Sequence, residues 1–428
     1  MASSSLAILR IRDFRVLWTA TMLSFLGTWL QRVASAWLML ELTGSALWVG
    51  LMAAASTLPV LLLGLLGGAF ADLFDRRRVL LGAQTVSGVV AMAMAVLWFL
   101  DLLTPGILFS LGVGMGVGTA LGNPAWLAFV SDLVPPRMLA DAVALNAASF
   151  SASRAIGPAI GGVMVALYGP GVPFLLNSLS YFGVVVALSL LRTTGWQGRR
   201  DAGVGTAITA GLRVAWHSPV IRRLLGLAVA FALSTAVVQA VLPNLTSDEL
   251  GEGSRVYGIF LAAMGIGAVL AMAPRRRVSA RLGRLLLPLA MGSFGVAGIL
   301  VGLSSSVVLT TVVMTFAGVF WIWVITNVSS TIQLAVPPDI RGRIMSIWTM
   351  AFVGCVSIGS IVAGALADAI GIREAIVWLS AGTVVVGVTA VFLVVPTLEE
   401  VAGAEAPAGD TAGGGRVLDP VDPPQAQG

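Results

Sequence analysis

The sequence predicts an all-α membrane protein of twelve transmembrane helices, arranged as two six-helix bundles related by a pseudo-twofold axis. Three observations predict it. The 428-residue chain is 57% hydrophobic and 11% charged, with a mean hydropathy of +0.96, whereas a soluble domain carries about 25% charged residues. Residues 127–170 recur as residues 329–372. Val134-Pro135-Pro136 returns as Val336-Pro337-Pro338, and Gly157, Gly162 and Gly169 return as Gly359, Gly364 and Gly371. Finally, the apolar runs approach the ~20 residues that a helix needs to cross hydrocarbon, and the even alternation of a membrane barrel is absent.

Taken in order, the spans fall at 14–38, 47–71, 79–100, 106–130, 143–168 and 172–191, then at 224–244, 256–273, 285–302, 307–334, 345–368 and 375–395. The predicted organisation is therefore an N-terminal bundle over 1–191, a polar linker over 192–223 and a C-terminal bundle over 224–395. A tail over 396–428, rich in Gly, Ala, Pro, Asp and Glu, cannot bury a core and is expected to be disordered. The linker carries a short amphipathic stretch from Thr206 to Trp216. The first span is too long for a signal-peptide core and lacks a cleavage site, so it is expected to remain as a membrane helix.

Arginine placement predicts orientation. All 25 basic side chains are Arg. With the N-terminus inside, the outer loops hold only Arg255 and Arg373, Arg32 and Arg154 fall within helices, and every other Arg lies in an inner segment. Both termini are thus expected in the cytoplasm. Because the arginines sit in short clusters between apolar runs, the net charge of +5 is no sign of nucleic acid. One cysteine, Cys355, and one histidine, His217, leave no disulfide framework and no Cys or His metal site. No phosphate-binding glycine loop and no hydrolase triad is present, so neither an enzyme nor a cofactor is expected.

Helix 1 leads into Leu30-Gln31-Arg32-Val33-Ala34 and Trp37-Leu38-Met39-Leu40-Glu41-Leu42-Thr43-Gly44-Ser45. Helix 2 leads into Leu66-Gly67-Gly68-Ala69-Phe70-Ala71-Asp72, then Asp75-Arg76-Arg77-Arg78. Further on stand Asp141-Ala142-Val143-Ala144-Leu145-Asn146, Arg154-Ala155-Ile156-Gly157-Pro158-Ala159-Ile160-Gly161-Gly162 and Arg341-Gly342-Arg343-Ile344-Met345-Ser346. Together these resemble the major facilitator superfamily and, within it, the transmembrane secretion effector branch of enterobactin-exporter-like proteins and bacterial drug exporters. The resemblance implies a central cavity that opens alternately to each side, a small-molecule substrate and coupling to protons. The chain departs from the family pattern at Leu73, where a basic residue is frequent, at Asp75, where Gly is common, and at Ala36, where relatives often carry an acid.

Candidate residues follow from position and chemistry. Charge at the bilayer centre costs at least ~2.5 kcal/mol, so Arg32 should face a cavity or a partner. It borders a polar stripe of Ser24, Thr28, Gln31 and Ser35. Arg154 shares a helical face with Asn146 and Phe150. Trp126, Gln239, Trp323 and Asn327 complete the expected cavity wall. Gly68, Asp72, Arg76 and Arg77 are expected to form an inner gate, in which the Asp72 carboxylate accepts hydrogen bonds from a neighbouring helix N-terminus or an Arg. Gly157, Pro158 and Gly161 match a motif associated with antiporters, and Pro158 removes one backbone hydrogen bond. No acid lies mid-helix, so Glu41 leads as a proton site, and the two arginines without a nearby acid suggest an anionic substrate. The expected working unit is a monomer whose surroundings are the lipid bilayer. Two other readings are open: a lysophospholipid or lipid flippase on the same fold, and a non-transporting scaffold or sensor.

Overall fold

In lipid, a backbone N–H or C=O has no water to bond, so a long apolar segment closes its own hydrogen bonds as a helix. A computed structural model describes residues 6–64, 74–191, 219–273, 275–334, 336 and 338–393. Within the described helices the side chains of a few residues, Gln239 among them, are outside that description. The expected linker helix, the tail, Gly68 and Asp72 also lie outside the described residues.

Among the described residues twelve long helices follow in chain order: α1 Arg12–Thr43, α2 Ala46–Gly64, α3 Arg76–Phe99, α4 Pro105–Leu133, α5 Leu139–Tyr168, α6 Gly171–Leu190, α7 Pro219–Asn244, α8 Ser254–Leu270, α9 Leu286–Leu303, α10 Val307–Leu334, α11 Pro338–Ile370 and α12 Ile372–Phe392. A short helix, Arg275–Leu282, connects α8 towards α9. Ten of the long helices, or segments of them, are long and apolar enough to span a membrane. The other two are α1, which carries Arg32 and Glu41, and α8, whose 17 residues sit at the lower limit of about 17 for a span.

Helix ends follow local chemistry. Gly44 closes α1 with φ +62° and donates its N–H to the Leu40 carbonyl at 2.7 Å. Ser45 then caps α2 by accepting from the Trp48 N–H. The Asp75 carboxylate caps α3, accepting from the Arg77 N–H at 2.8 Å and the Arg78 N–H at 3.4 Å. Asp75 is one of the family departures, and its acceptor oxygen satisfies donors that a glycine would leave open.

The halves pack by one rule. In the first, α1 lies against α5 and α6, α3 against α4 and α6, and α2 against α4. In the second, α7 lies against α11 and α12, α9 against α10 and α12, and α8 against α10. Each pair maps onto its counterpart by adding six to both helix numbers. Two seams join the halves, α5 to α8 and α2 to α11, and the same mapping exchanges them. Gly169 and Gly371, equivalent in the repeat, both take positive φ, +74° and +107°, where each chain turns into the next helix.

Large side chains such as Phe174, Phe231 and Phe260 are fully buried. Others, including Val308 at 73% exposure and Trp378 at 68%, stand on the outside, where a soluble protein would place charge. That distribution suits a lipid surround.

Candidate functional site

Arg32 lies eleven residues before the end of α1, about 16 Å by helix rise, near mid-membrane. It lines a water-accessible cavity of about 160 Å³ walled by residues of α1, α2, α4, α5, α6, α8 and α11, so both halves contribute. Arg154 of α5 lines the same cavity. The Arg32 guanidinium sits over the Trp29 ring at 4.8 Å from its centre. Arg154 lies 5.9 Å from that ring and 5.8 Å from the ring of Trp321 on α10. Two cations thus lie over one indole ring, and one of them reaches the aromatic core of the opposite half. Trp321 packs there against Phe231, Phe294 and Phe352. Among the described residues neither Arg has an ion-pair partner, and no Asp or Glu lines the cavity.

The polar groups beside the arginines are already engaged. Gln31 is buried; its Oε1 accepts from Asn177 Nδ2 at 2.6 Å and its Nε2 faces the Met94 sulfur at 3.3 Å. Thr28 and Tyr181 pair their hydroxyls at 3.2 Å. Thr57 of α2 and Ser357 of α11 pair theirs at 2.7 Å across the seam. Tyr257 of α8 lines the cavity and stacks on Trp37 of α1, with ring centres 6.0 Å apart. Trp37 Nε1 donates to Glu41 at 2.6 Å.

Of the residues expected from sequence, Gln31, Arg32, Arg154 and Pro158 line this cavity. Trp126 and Asn146 line a separate small hollow with Phe14 and Trp18. Phe150 stacks edge-on against Phe25 at 5.4 Å, and Trp323 donates to the Ala271 carbonyl at 3.0 Å. Neither of these, nor Asn327, is among the described cavity lining, and the Gln239 side chain lies outside the described residues. Gly157 and Gly161 serve packing: a Cβ on Gly157 would meet Trp29 at 2.6 Å, and one on Gly161 the Leu30 Cα at 3.1 Å. Sequence reasoning missed Trp29, Asn177, Tyr181 and Tyr257. Asn177, an amide within a predicted membrane span, was the one visible signal among them.

The two ends of the molecule differ. At the end bearing Arg76, that side chain reaches Asp132 on α4, with both carboxylate oxygens at 3.0 Å, and Arg77 donates to the Ser189 carbonyl at 3.0 Å. Both contacts stay within the first half. Their expected partner Asp72 is outside the described residues, and Asp132 was not anticipated. At the opposite end Asp368, in the last turn of α11, caps the N-terminus of α2. Its carboxylate accepts from Ser45 Oγ at 2.6 Å, the Ala46 N–H at 2.7 Å and the Leu47 N–H at 3.2 Å. Glycines let the helices close there. A Cβ on Gly162 would strike the Ser254 carbonyl of α8, and one on its repeat equivalent Gly364 would strike the Ala46 carbonyl of α2.

The chain is similar to known transporters over nearly its whole length. A family described as transmembrane secretion effector matches residues 3–409. The multidrug efflux pump Tap of Mycolicibacterium fortuitum is 30% identical over 392 residues, covering 87% of this chain and 93% of that protein. The staphyloferrin A transporter of Staphylococcus aureus is 26% identical over 361 residues, covering 83% and 89%. Among solved structures, the nucleoside transporter NupG superposes with a TM-score of 0.71 at 12% identity, covering 89% of this chain and 99% of that one. That likeness shows the fold, the twelve-helix arrangement of the major facilitators.

Proposed function

Because the chain belongs to the transmembrane secretion effector family, a family of transporters, we propose that it is an exporter that works by alternating access in a bacterial inner membrane. The cargo is a drug, a siderophore or another amphipathic metabolite, and protons supply the drive. The supporting observation is the mid-membrane cavity built by both halves, whose seams close through small residues and one carboxylate at the Asp368 end. A cavity between two related bundles reaches either side when one bundle rocks against the other. The arginine distribution supports placing the Arg76 end, and both termini, in the cytoplasm. The export direction is taken from the efflux activity named for its relative.

Glu41 is the proton site of this proposal. Its carboxylate holds the Trp37 indole, and Trp37 stacks on Tyr257 of the other half. Protonation there weakens a charge-assisted hydrogen bond and loosens a contact across the seam.

The test is solute flux in proteoliposomes under pH gradients of either sign. Accumulation that follows the gradient and reverses with it supports the proposal. Flux indifferent to the gradient removes proton coupling, and absence of flux for every amphipathic solute tried overturns the export reading. Glu41→Gln is expected to uncouple flux from the gradient while the protein still inserts and purifies as wild type.

A further inference from the structure

We propose that the cavity selects organic anions, holding an anionic oxygen group between Arg32 and Arg154 while the apolar body of the solute lies along Met52, Met115, Leu261 and Met264. This rests on the reading of the cavity as the substrate site. The argument begins with charge. Ionised groups in a protein interior are ordinarily paired, and a charge at this depth marks a pathway and has a partner. Here two cations lie over one Trp29 ring, and the cavity's described lining offers no carboxylate. The indole face is a weak substitute for an anion, and each guanidinium repels the other.

The neighbours offer neutral oxygens, most of them already engaged, and no anionic acceptor. The Gln31 amide oxygen already accepts from Asn177. The hydroxyls of Thr28 and Tyr181 pair with each other, as do those of Thr57 and Ser357. The guanidinium donors are therefore left for cargo. Their planar forks match the paired oxygens of a carboxylate or sulfonate. The same field repels a cation, whose charge finds no opposing acid in the cavity. The remaining wall is largely aliphatic and thioether, dotted with the hydroxyls of Ser35, Ser56, Thr119, Ser360 and Tyr257, and flexible thioethers adapt to varied apolar shapes. Shape is thus loosely specified and charge tightly specified.

Three isosteric probes separate charge from shape: 2-naphthoate, 2-naphthalenemethanol and 2-naphthylmethylammonium. Calorimetric titration of the purified full-length protein is expected to show naphthoate binding at least about tenfold tighter than the alcohol, with the ammonium weakest. Arg32→Gln and Arg154→Gln are each expected to bring the carboxylate and the alcohol to within about twofold of one another. Arg32→Lys is expected to restore part of the preference. Failure of naphthoate to bind the wild type, equal binding of all three probes, or a preference that survives both substitutions would overturn the proposal. The wild-type comparison stands even if a variant fails to fold. Flux in proteoliposomes separates the two readings. Naphthoate that binds but never crosses leaves the anion site supported and overturns the export reading. The ammonium crossing while the carboxylate does not leaves export standing and overturns the anion proposal.

Discussion

Gln31 and Arg32 are adjacent in the chain and both line the cavity, yet the rotation of about 100° per residue gives them different roles. Gln31 is 5% exposed and bonded to Asn177, which is fully buried; Arg32 opens onto the cavity. Asn177→Leu would leave the Gln31 carbonyl oxygen buried and unpaired, at a cost of about 1–3 kcal/mol. Thermal unfolding of the purified protein should show that loss, and adding Gln31→Leu should recover part of it, because removing both partners spares the unsatisfied atom. Asp132→Asn should behave differently. Its bond to Arg76 is 44% exposed on the Asp side, so stability should fall by less than about 1 kcal/mol. A drop as large as that of Asn177→Leu would mean the pair is shielded from solvent by something else. This contrast also explains what was legible at the residue scale. Arg32 and Arg154 announce themselves, because a charge in an apolar helix has few tolerable positions. Trp126 and Trp323 do not, because an indole serves equally well in a core, in a cavity wall or as a donor to a carbonyl.

Elements carry their own symmetry. Gly157 packs on α1 at Trp29, and its repeat equivalent Gly359 packs on α7 at Leu233 and Ala236. Gly162 and Gly364 admit the first turns of α8 and α2. The repeat was readable because Gly162, Gly359 and Gly364 answer to close approaches of neighbouring backbone, and Gly157 to that of the Trp29 Cβ, which any side chain would block. One feature breaks the symmetry. Asp368 caps α2, whereas the equivalent position on α5 is Ala166, so among the described residues only one seam carries a carboxylate latch. The expected inner gate placed such a contact, an acid on a neighbouring helix N-terminus or an Arg, at Asp72. That residue lies outside the described structure, and the geometry is seen instead at Asp368. A carboxylate there complements the positive end of the α2 dipole and satisfies two free N–H groups. Asp368→Ala should therefore loosen the Asp368 end. With Cys355→Ser as background and spin labels at the exposed positions Leu42 and Ile370, pulsed electron resonance should show the distance distribution shifting to longer values. An unchanged distribution would reduce Asp368 to a local helix cap.

At the scale of the whole molecule, composition and repeat sufficed for twelve helices and two bundles, because lipid leaves the backbone few alternatives. The cavity lining was less legible. It depends on which helix faces meet, and one sequence does not fix the rotation of each helix about its axis. The wall that helix 10 was expected to form carries Trp321 to Arg154, two residues from the expected Trp323, and on a helix two residues is nearly the opposite face. Alternating access makes a demand that neither residue nor element makes alone: the Asp368 end must part once per cycle while the halves stay intact. Ser45 and Asp368 are hydrogen-bonded across that end at 2.6 Å, so a cysteine at each position can replace a breakable latch with a covalent one. In a Cys355→Ser background, oxidised Ser45→Cys/Asp368→Cys protein should carry no solute across proteoliposomes, and reductant should restore flux. Each single-cysteine variant should be indifferent to oxidant. The cross-linked protein should still bind solute offered from the Arg76 end, because the cavity itself is untouched. Full flux through the oxidised double variant would mean that solute leaves without the two halves separating there, and rocking about the cavity could not be the mechanism.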